Sequence, residues 1–488
     1  MTARFSVPIA VVVAAIGTTF ILTSLESSAN LPSMGLLILT TLLIISALIV
    51  VQPLLAAIGI LAFAFINPTL VPSMIEVGDF SLRYPDLLFS LMAFIICIRV
   101  HRSHHRPTEI VQVIVPVLPF LVYTGLSLST VNAVVPDLIV YCTASYVRLV
   151  ITALLAPLFY AVVRTSRDIR VVNKSLAILV SIVVATGIWE WFTNTSILEG
   201  NVFNRVGGII GINSLGLVSG LLVLLGFVNR RVERRIIGSF VPITVGLSGL
   251  ILAKSASSIV ATILTITINW AAVGTHPSRV RQVVRWMVLA PTLGALAFGF
   301  LFLSREDDIS SISDLGEGTF SQRIMLAYAG VTILESHPIF GVGWQASASD
   351  AFLGSPRLQA ELLQKFPNLP PHYFYSSGGT VTTVHNMYIQ ILAELGLLGA
   401  AVFGYSVVKT GRAIRRKMER IPRHSEYSRW ATFYSLGLIY LLAWWNNNPL
   451  FGGQIESVLL FVFIALIASI SRAASDGPAV EGGIPGSS

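Results

Sequence analysis

Apolar runs recur from one end of this chain to the other, separated by short polar turns. Fourteen read as candidate helical spans: residues 7–24, 32–51, 53–71, 86–100, 110–128, 147–163, 171–191, 212–228, 236–252, 259–274, 286–303, 386–408, 430–446 and 457–471. Several fall short of the ~20 residues that a helix needs to cross a bilayer core. Within each run a helix is still forced, because lipid offers no partner to backbone N–H and C=O groups. The pattern breaks once. From Ser304 to His385 the chain is polar, charged and rich in aromatic residues and glycine, a composition and length associated with function and not with simple connection.

The predicted fold class is an all-α polytopic membrane protein, with about 12–14 transmembrane helices and one long outside loop containing short amphipathic helices. The expected organisation is residues 1–303 as helices one to eleven, 304–385 as the long loop, 386–471 as the last three helices, and 472–488 as a disordered tail. No period of 20–50 residues repeats, and no inverted pair of broken helices points to a transporter. Inside the loop, Thr319 or Ser321 can cap a helix running to about Ser336. His337-Pro338 ends it, since a residue before proline is pushed out of the helical region. Ile324, Leu326, Val331, Ile333 and Leu334 are too many apolar positions for a free solvent helix, so this one should lie on the membrane surface or against the bundle. A second amphipathic helix is expected over 357–366.

Composition excludes a soluble enzyme: 54% of residues are hydrophobic and 11% charged, against a charged share of about 25% in soluble domains. The charges also orient the chain. With Arg4 inside, only Arg83, Arg148, Arg205, Lys254, Arg305, Arg323, Arg357 and Lys365 of the 32 Lys and Arg residues fall outside, the bias that the positive-inside rule describes. The net charge of +8 therefore reports topology and not nucleic-acid binding. His101, His104 and His105 lie among Arg99, Arg102 and Arg106 in a solvated basic turn. Cys97 and Cys142 fall on opposite sides of the bilayer and cannot pair. The first span reads as an uncleaved helix, although Arg4 ahead of it and Ser27, Ser28 and Ala29 after it imitate a signal peptide.

Candidate chemistry gathers on the outside face. His385 is the last residue before the twelfth span; on a continuous helix it would stand above a stripe of Gly396 and Gly399, which lets another helix approach. An imidazole can take a proton near neutral pH. Asn386 can hold it or the next carbonyl. Three cations share that face: Arg205, in a loop that continues Gly207-Gly208 and ends at Asn213; Lys254, in the turn between the ninth and tenth spans; and Arg323, at the start of the lateral helix. Taken singly, each reads as a cation snorkelling toward headgroups. Taken together, against a bias that keeps basic residues inside, they favour a shared anionic ligand, for which the arginine fork suits phosphate oxygens. Glu190 and Glu394 are the ionisable residues within spans, and Glu394 is expected to hold a neighbouring helix.

These segments resemble the O-antigen ligase and O-antigen polymerase family of bacterial polytopic membrane glycosyltransferases. The resemblance is carried by Phe203-Asn204-Arg205-Val206-Gly207-Gly208 with Asn213, by Lys254-Ser255, and by Arg323 with the later run Glu335-Ser336-His337-Pro338-Ile339-Phe340-Gly341-Val342-Gly343. It ends on His385-Asn386-Met387-Tyr388, Gln390, Gly396 and Gly399. Two positions depart from the family pattern: Lys254-Ser255 where Ser-Arg is common, and Ile212 before Asn213 where proline is common. The resemblance implies a glycosyltransferase that moves a glycan from a polyprenyl (undecaprenyl) diphosphate donor to an acceptor hydroxyl, in lipopolysaccharide or cell-surface polysaccharide biosynthesis. It places the protein in the cytoplasmic (inner) membrane, with its active face periplasmic or extracellular and the lipid bilayer as its setting. The implied roles are His385 as base or acceptor-positioning group, Arg205 and Arg323 on the diphosphate with Lys254 as a weaker third, and Asn386, Asn213, Gly341, Gly343 and His337 in support. His337 and His372 are second choices for the base, and residues 344–384 are expected to contact the acceptor. No cofactor, metal or nucleic acid is expected. A polymerase of the same family would use the same residues, and a lipid or polysaccharide transporter or flippase is the alternative from another class.

Overall fold

The computed structural model describes residues 53–66, 73–77, 80–83, 107–194, 206–233, 236–273, 319–349, 351–353, 355–366, 384–422, 425–450 and 454–476. The spans expected at 7–24, 32–51, 86–100 and 286–303 lie outside these residues. The described chain begins with α1 (Pro53–Ala64), the strands β1 (Ser73–Val77) and β2 (Phe80–Arg83), then α2 (Pro107–Val111), α3 (Leu118–Leu126), α4 (Leu128–Val134), α5 (Ile139–Ala153) and α6 (Leu155–Val162). Next come α7 (Ser166–Thr193), α8 (Ile212–Glu233), α9 (Ile236–Ala253) and α10 (Ala256–Val273). The remainder is α11 (Thr319–Ser336), α12 (Pro356–Lys365), α13 (Met387–Met418), α14 (Glu426–Trp444) and α15 (Ile455–Asp476).

This is an all-α polytopic membrane protein. Five described helical segments are long and apolar enough to cross a bilayer: Pro136–Val162, Ser166–Thr193, Ile212–Arg230, Met387–Met418 and Ile455–Asp476. The hairpin is the exception to helix among the described residues, antiparallel with Glu76 opposite Ser81 and Val77 opposite Phe80. Two expected spans change shape. The run at 110–128 is divided among α2, α3 and α4, where Pro116 and Pro119 each remove a backbone donor. The span expected at 147–163 begins earlier, at the Pro136 turn that leads into α5. Cys142, expected ahead of that span on the outer side, therefore sits on α5 together with Arg148. Proline at the start of a helix costs nothing, because its missing N–H would have had no partner there.

The core is built around α15. Val458, Leu459, Val462, Phe463, Leu466, Ile467 and Ile470 are all buried on it, as are the polar Ser457, Ser469 and Ser471. A helix buried on every face belongs to a bundle centre. Its C-terminal end meets those of α6 and α13: the Arg472 guanidinium donates to the carbonyls of Tyr160 and Val163, 2.8 Å each, and Ser471 Oγ donates to the Lys417 carbonyl at 3.2 Å. Arg415, Arg416 and Lys417 close α13 at this basic end. At the entry to α7, Thr165 and Asp168 form a reciprocal N-terminal cap between Arg164 and Arg167.

α11 and α12 form a small lobe with its own apolar contacts, Met325, Leu326 and Ala329 against Leu358, Leu362 and Phe366. Tyr328 donates its phenol to Glu361 at 2.9 Å, while Lys365 lies over the Tyr328 ring. Burial pushes the Tyr328 phenol above its ordinary pKa, which keeps it a donor. In a background lacking Cys97 and Cys142, Ala351→Cys should react with an impermeant thiol reagent on spheroplasts, and Glu419→Cys only after permeabilisation. The reverse labelling would invert the orientation.

Candidate active site

The run His337-Pro338-Ile339-Phe340-Gly341-Val342-Gly343 does more than end α11. The His337 N–H still donates to the Ile333 carbonyl at 3.0 Å, and its ring meets Ser336 Oγ through Nδ1 at 2.9 Å and packs edge-on to Phe352. The chain then runs into the bundle and pairs with α13 backbone to backbone. Val342 and Gly343 donate to the carbonyls of Ala393 and Glu394, at 3.2 and 2.7 Å, while Leu397 and Leu398 donate to those of Pro338 and Ile339, at 2.9 and 3.2 Å. This exchange is possible because α13 is broken at Gly396, with φ 66° and ψ −172°, a conformation essentially confined to glycine. Gly341, with φ 68°, stands opposite, and a side chain at either position would overlap the other segment's backbone. The break lies about 14 Å along α13 at 1.5 Å per residue, so irregular backbone at this depth has to be enclosed by protein.

A carboxylate locks the junction. Glu394 is fully buried and accepts from the Gln345 backbone N–H at 2.9 Å and from the Ser347 hydroxyl at 2.6 Å. Gln390 donates to both of its oxygens at 3.3–3.4 Å and accepts from the Leu450 N–H at 2.8 Å. Gln345, held at φ 61°, donates its side chain to the Leu450 carbonyl at 3.2 Å. The Leu395 carbonyl at the end of the first half-helix accepts from Tyr123. Trp344 is fully buried, its backbone N–H bonded to Ser127 Oγ and its indole N–H to Ser145 Oγ.

Two expectations are corrected here. The stripe of His385, Gly396 and Gly399 assumed one continuous helix, whereas the helix starts at Met387 and breaks at Gly396. Glu394 holds the 345–347 loop and not a neighbouring helix. Residues 344–349, expected among the acceptor contacts, are largely buried in this junction.

The C-terminal end of α14 gathers the remaining motifs. Asn386 caps α13, its Oδ1 accepting from the N–H groups of Tyr388 and Ile389, and its Nδ2 donates to the Asn446 carbonyl at 2.5 Å. Trp444 donates its indole N–H to Ser258 at 3.1 Å. Ser258 and Ser257 both bond to Ser255, which directly follows Lys254. Lys254 is exposed in a left-handed conformation, φ 46°, between α9 and α10. The same corner holds the loop after Arg205, because the Val206 N–H donates to the Leu252 carbonyl at 3.3 Å.

The structure therefore brings the 206–211 loop, the Lys254 turn and the His385-Asn386 pair to one end of the bundle. Asn213 is half-buried in the first turn of α8. Arg323 is half-buried near the start of α11, which crosses the beginning of α13 where Gly330 faces Val384 and Ile389. His385 is half-buried, one residue ahead of the cap. Arg205 and His372 lie outside the described residues. Among the described residues no group of three or more His, Cys, Asp or Glu is placed to hold a metal. N-termini of α8, α10 and α13 share this end, and each contributes a partial positive charge.

Residues 243–404 match the family model described as O-antigen ligase. This stretch, about a third of the chain, is similar to that family. No curated protein matches the chain. The matched stretch runs from within α9 to α13 and so contains Lys254, Arg323, the 337–343 run, His385 and the helix break. Arg205 and Asn213 precede it in sequence, and the 206–211 loop meets it through the Val206–Leu252 bond. Sequence reading missed the Gln345–Ser347–Gln390–Glu394 network and Asn446. The available signals were two polar residues inside the apolar run after His385, and three consecutive asparagines after α14.

The helix break yields a sharp test. Backbone strain alone at such a position costs about 1–3 kcal/mol for a non-glycine residue, and overlap with the Ile339 carbonyl adds to it. Gly396→Ala should lower the thermal midpoint in detergent and abolish activity. Gly404→Ala, with open space around it on the same helix, should change neither.

Proposed function

We propose that the protein is an O-antigen ligase-like glycosyltransferase of the cytoplasmic membrane, working on the outer face with a polyprenyl diphosphate-linked glycan as donor. The observation that carries this reading is the meeting of the Lys254 turn, the 206–211 loop and the His385-Asn386 pair that opens α13 at one bundle end, opposite the end rich in arginine and lysine.

A diphosphate is already a competent leaving group. The site has two tasks: to balance charge as the bond from the anomeric carbon to the diphosphate oxygen breaks, and to remove the acceptor's proton. Arg205 and Arg323 hold the diphosphate oxygens, with Lys254 beside them. His385 takes the proton of the acceptor hydroxyl as that oxygen bonds to the anomeric carbon. The polyprenyl diphosphate departs, and the anomeric configuration inverts. Asn386 keeps His385 in place, its own hydrogen-bonding capacity spent on the α13 cap and Asn446. Gly341 and Gly343 support the site by fixing the junction below it, and His337 by ending α11. The residues serve transfer to a different acceptor or to a second lipid-linked repeat equally well.

Removing a donor that stabilises developing charge costs about 10²–10³ in rate, so Arg205→Ala and Arg323→Ala should each cut glycan transfer by about a hundredfold or more. Lysine replacements should rescue poorly, because a point charge does not reproduce bidentate contact. Transfer should persist in EDTA, and a requirement for added Mg²⁺ or Mn²⁺ would move the charge-stabilising role to a metal.

His385→Ala should abolish transfer while leaving expression and donor binding near normal, the pattern for an interaction made only in the transition state. His337→Ala and His372→Ala should be milder. Near-normal transfer in His385→Ala alongside an inactive His337→Ala or His372→Ala would reassign the base.

A further inference from the structure

The last turns of α7 divide sharply. Trp189, Trp191 and Phe192 are exposed, while Glu190 between them is only 2% exposed. A carboxylate near the end of a membrane helix that turns inward is costly unless donors receive it. Here they do. Glu190 Oε2 accepts from two successive backbone N–H groups, Gly208 at 2.6 Å and Gly207 at 3.2 Å. The next N–H, of Ile209, donates to Thr186 Oγ1 one turn earlier on α7, at 3.3 Å. The preceding one, of Val206, goes to the Leu252 carbonyl. Four consecutive amides are thus fixed, two of them by one carboxylate oxygen, in the turn directly after Arg205 and against the end of α9 that leads into Lys254. Gly208 adopts φ 55° to present its N–H this way, and a methyl there would stand 2.8 Å from Thr186 Oγ1.

We propose that Glu190 is a positioning residue for the donor site, acting as the acceptor that anchors the Gly207-Gly208 turn and so holds the loop that follows Arg205 in sequence against the Lys254 corner that receives the diphosphate. This rests on the donor reading given above. It assigns Glu190 neither contact with substrate nor proton transfer. The requirement is for an acceptor oxygen at this position, which a glutamine also provides.

The test is binding of undecaprenyl diphosphate to the purified full-length chain in nanodiscs, alongside transfer kinetics. Glu190→Ala should weaken binding by at least about tenfold and raise the donor KM to match, with kcat changed far less. Glu190→Gln should keep the affinity within about threefold of the parent. Equal losses in Glu190→Gln and Glu190→Ala would overturn the proposal, since the charge and not the anchored turn would then matter. If Glu190→Ala does not fold, Gly208→Ala disturbs the same turn and should weaken binding likewise; a folded Gly208→Ala with normal affinity overturns the idea. Arg205→Ala, measured in parallel, separates the two levels. Weakened binding there with normal binding in Glu190→Ala defeats only the positioning role, and normal binding in Arg205→Ala defeats the donor reading beneath it.

Discussion

The arrangement depends on one constraint: an interrupted helix inside a membrane bundle must find partners for every backbone group it frees. At Gly396 four hydrogen bonds are exchanged with one segment, Pro338 to Gly343, and Tyr123 donates to the Leu395 carbonyl. Neither side is stable alone. The segment would carry unpaired amides into the bundle, and the half-helix from Met387 to Leu395 would end in bare carbonyls. Together they join the α11 lobe, with Arg323, to the half-helix that presents His385. Glu394 then extends the junction to the Leu450 segment through Gln390, which links it to the loop between α14 and α15.

Much of the fold was legible because it depends on local chemistry. α11 runs from Thr319 to Ser336 and stops at His337-Pro338, as expected for a residue before proline. α12 starts behind Ser355, whose side chain accepts from the Leu358 N–H, with Pro356 in its first turn. The apolar runs from 171 onward within the described residues became helices with modest shifts at their ends. The hairpin at 73–83 was overlooked, although Gly78-Asp79 between two short runs is a two-residue hairpin signal. The early start of the helix carrying Arg148 was not legible, because a cation inside an apolar run reads as a boundary.

The site was legible as a set of motifs and illegible as a geometry. His385-Asn386, Lys254 and the run from His337 to Gly343 stand out by residue type. Burial of 341–349 does not, because glycine, serine and glutamine in a polar region look like a surface loop. What buries them is a carboxylate about 50 positions later, and the pairing depends on a backbone conformation that one glycine permits. The angular argument from His385 to Gly399 failed for the same reason, since helical phase is lost across a break.

The central position of α15 has a consequence for how the protein comes into being. The segment packed against α5, α6, α7, α8, α13 and α14 is, among the described helices, the last to leave the ribosome. Until it inserts, the earlier helices have no common axis, and the asparagine-bearing corner that precedes it has no fixed place beside Asn386. A chain lacking α15 would still hold Lys254, Arg323 and His385 and would lack the axis about which their helices pack.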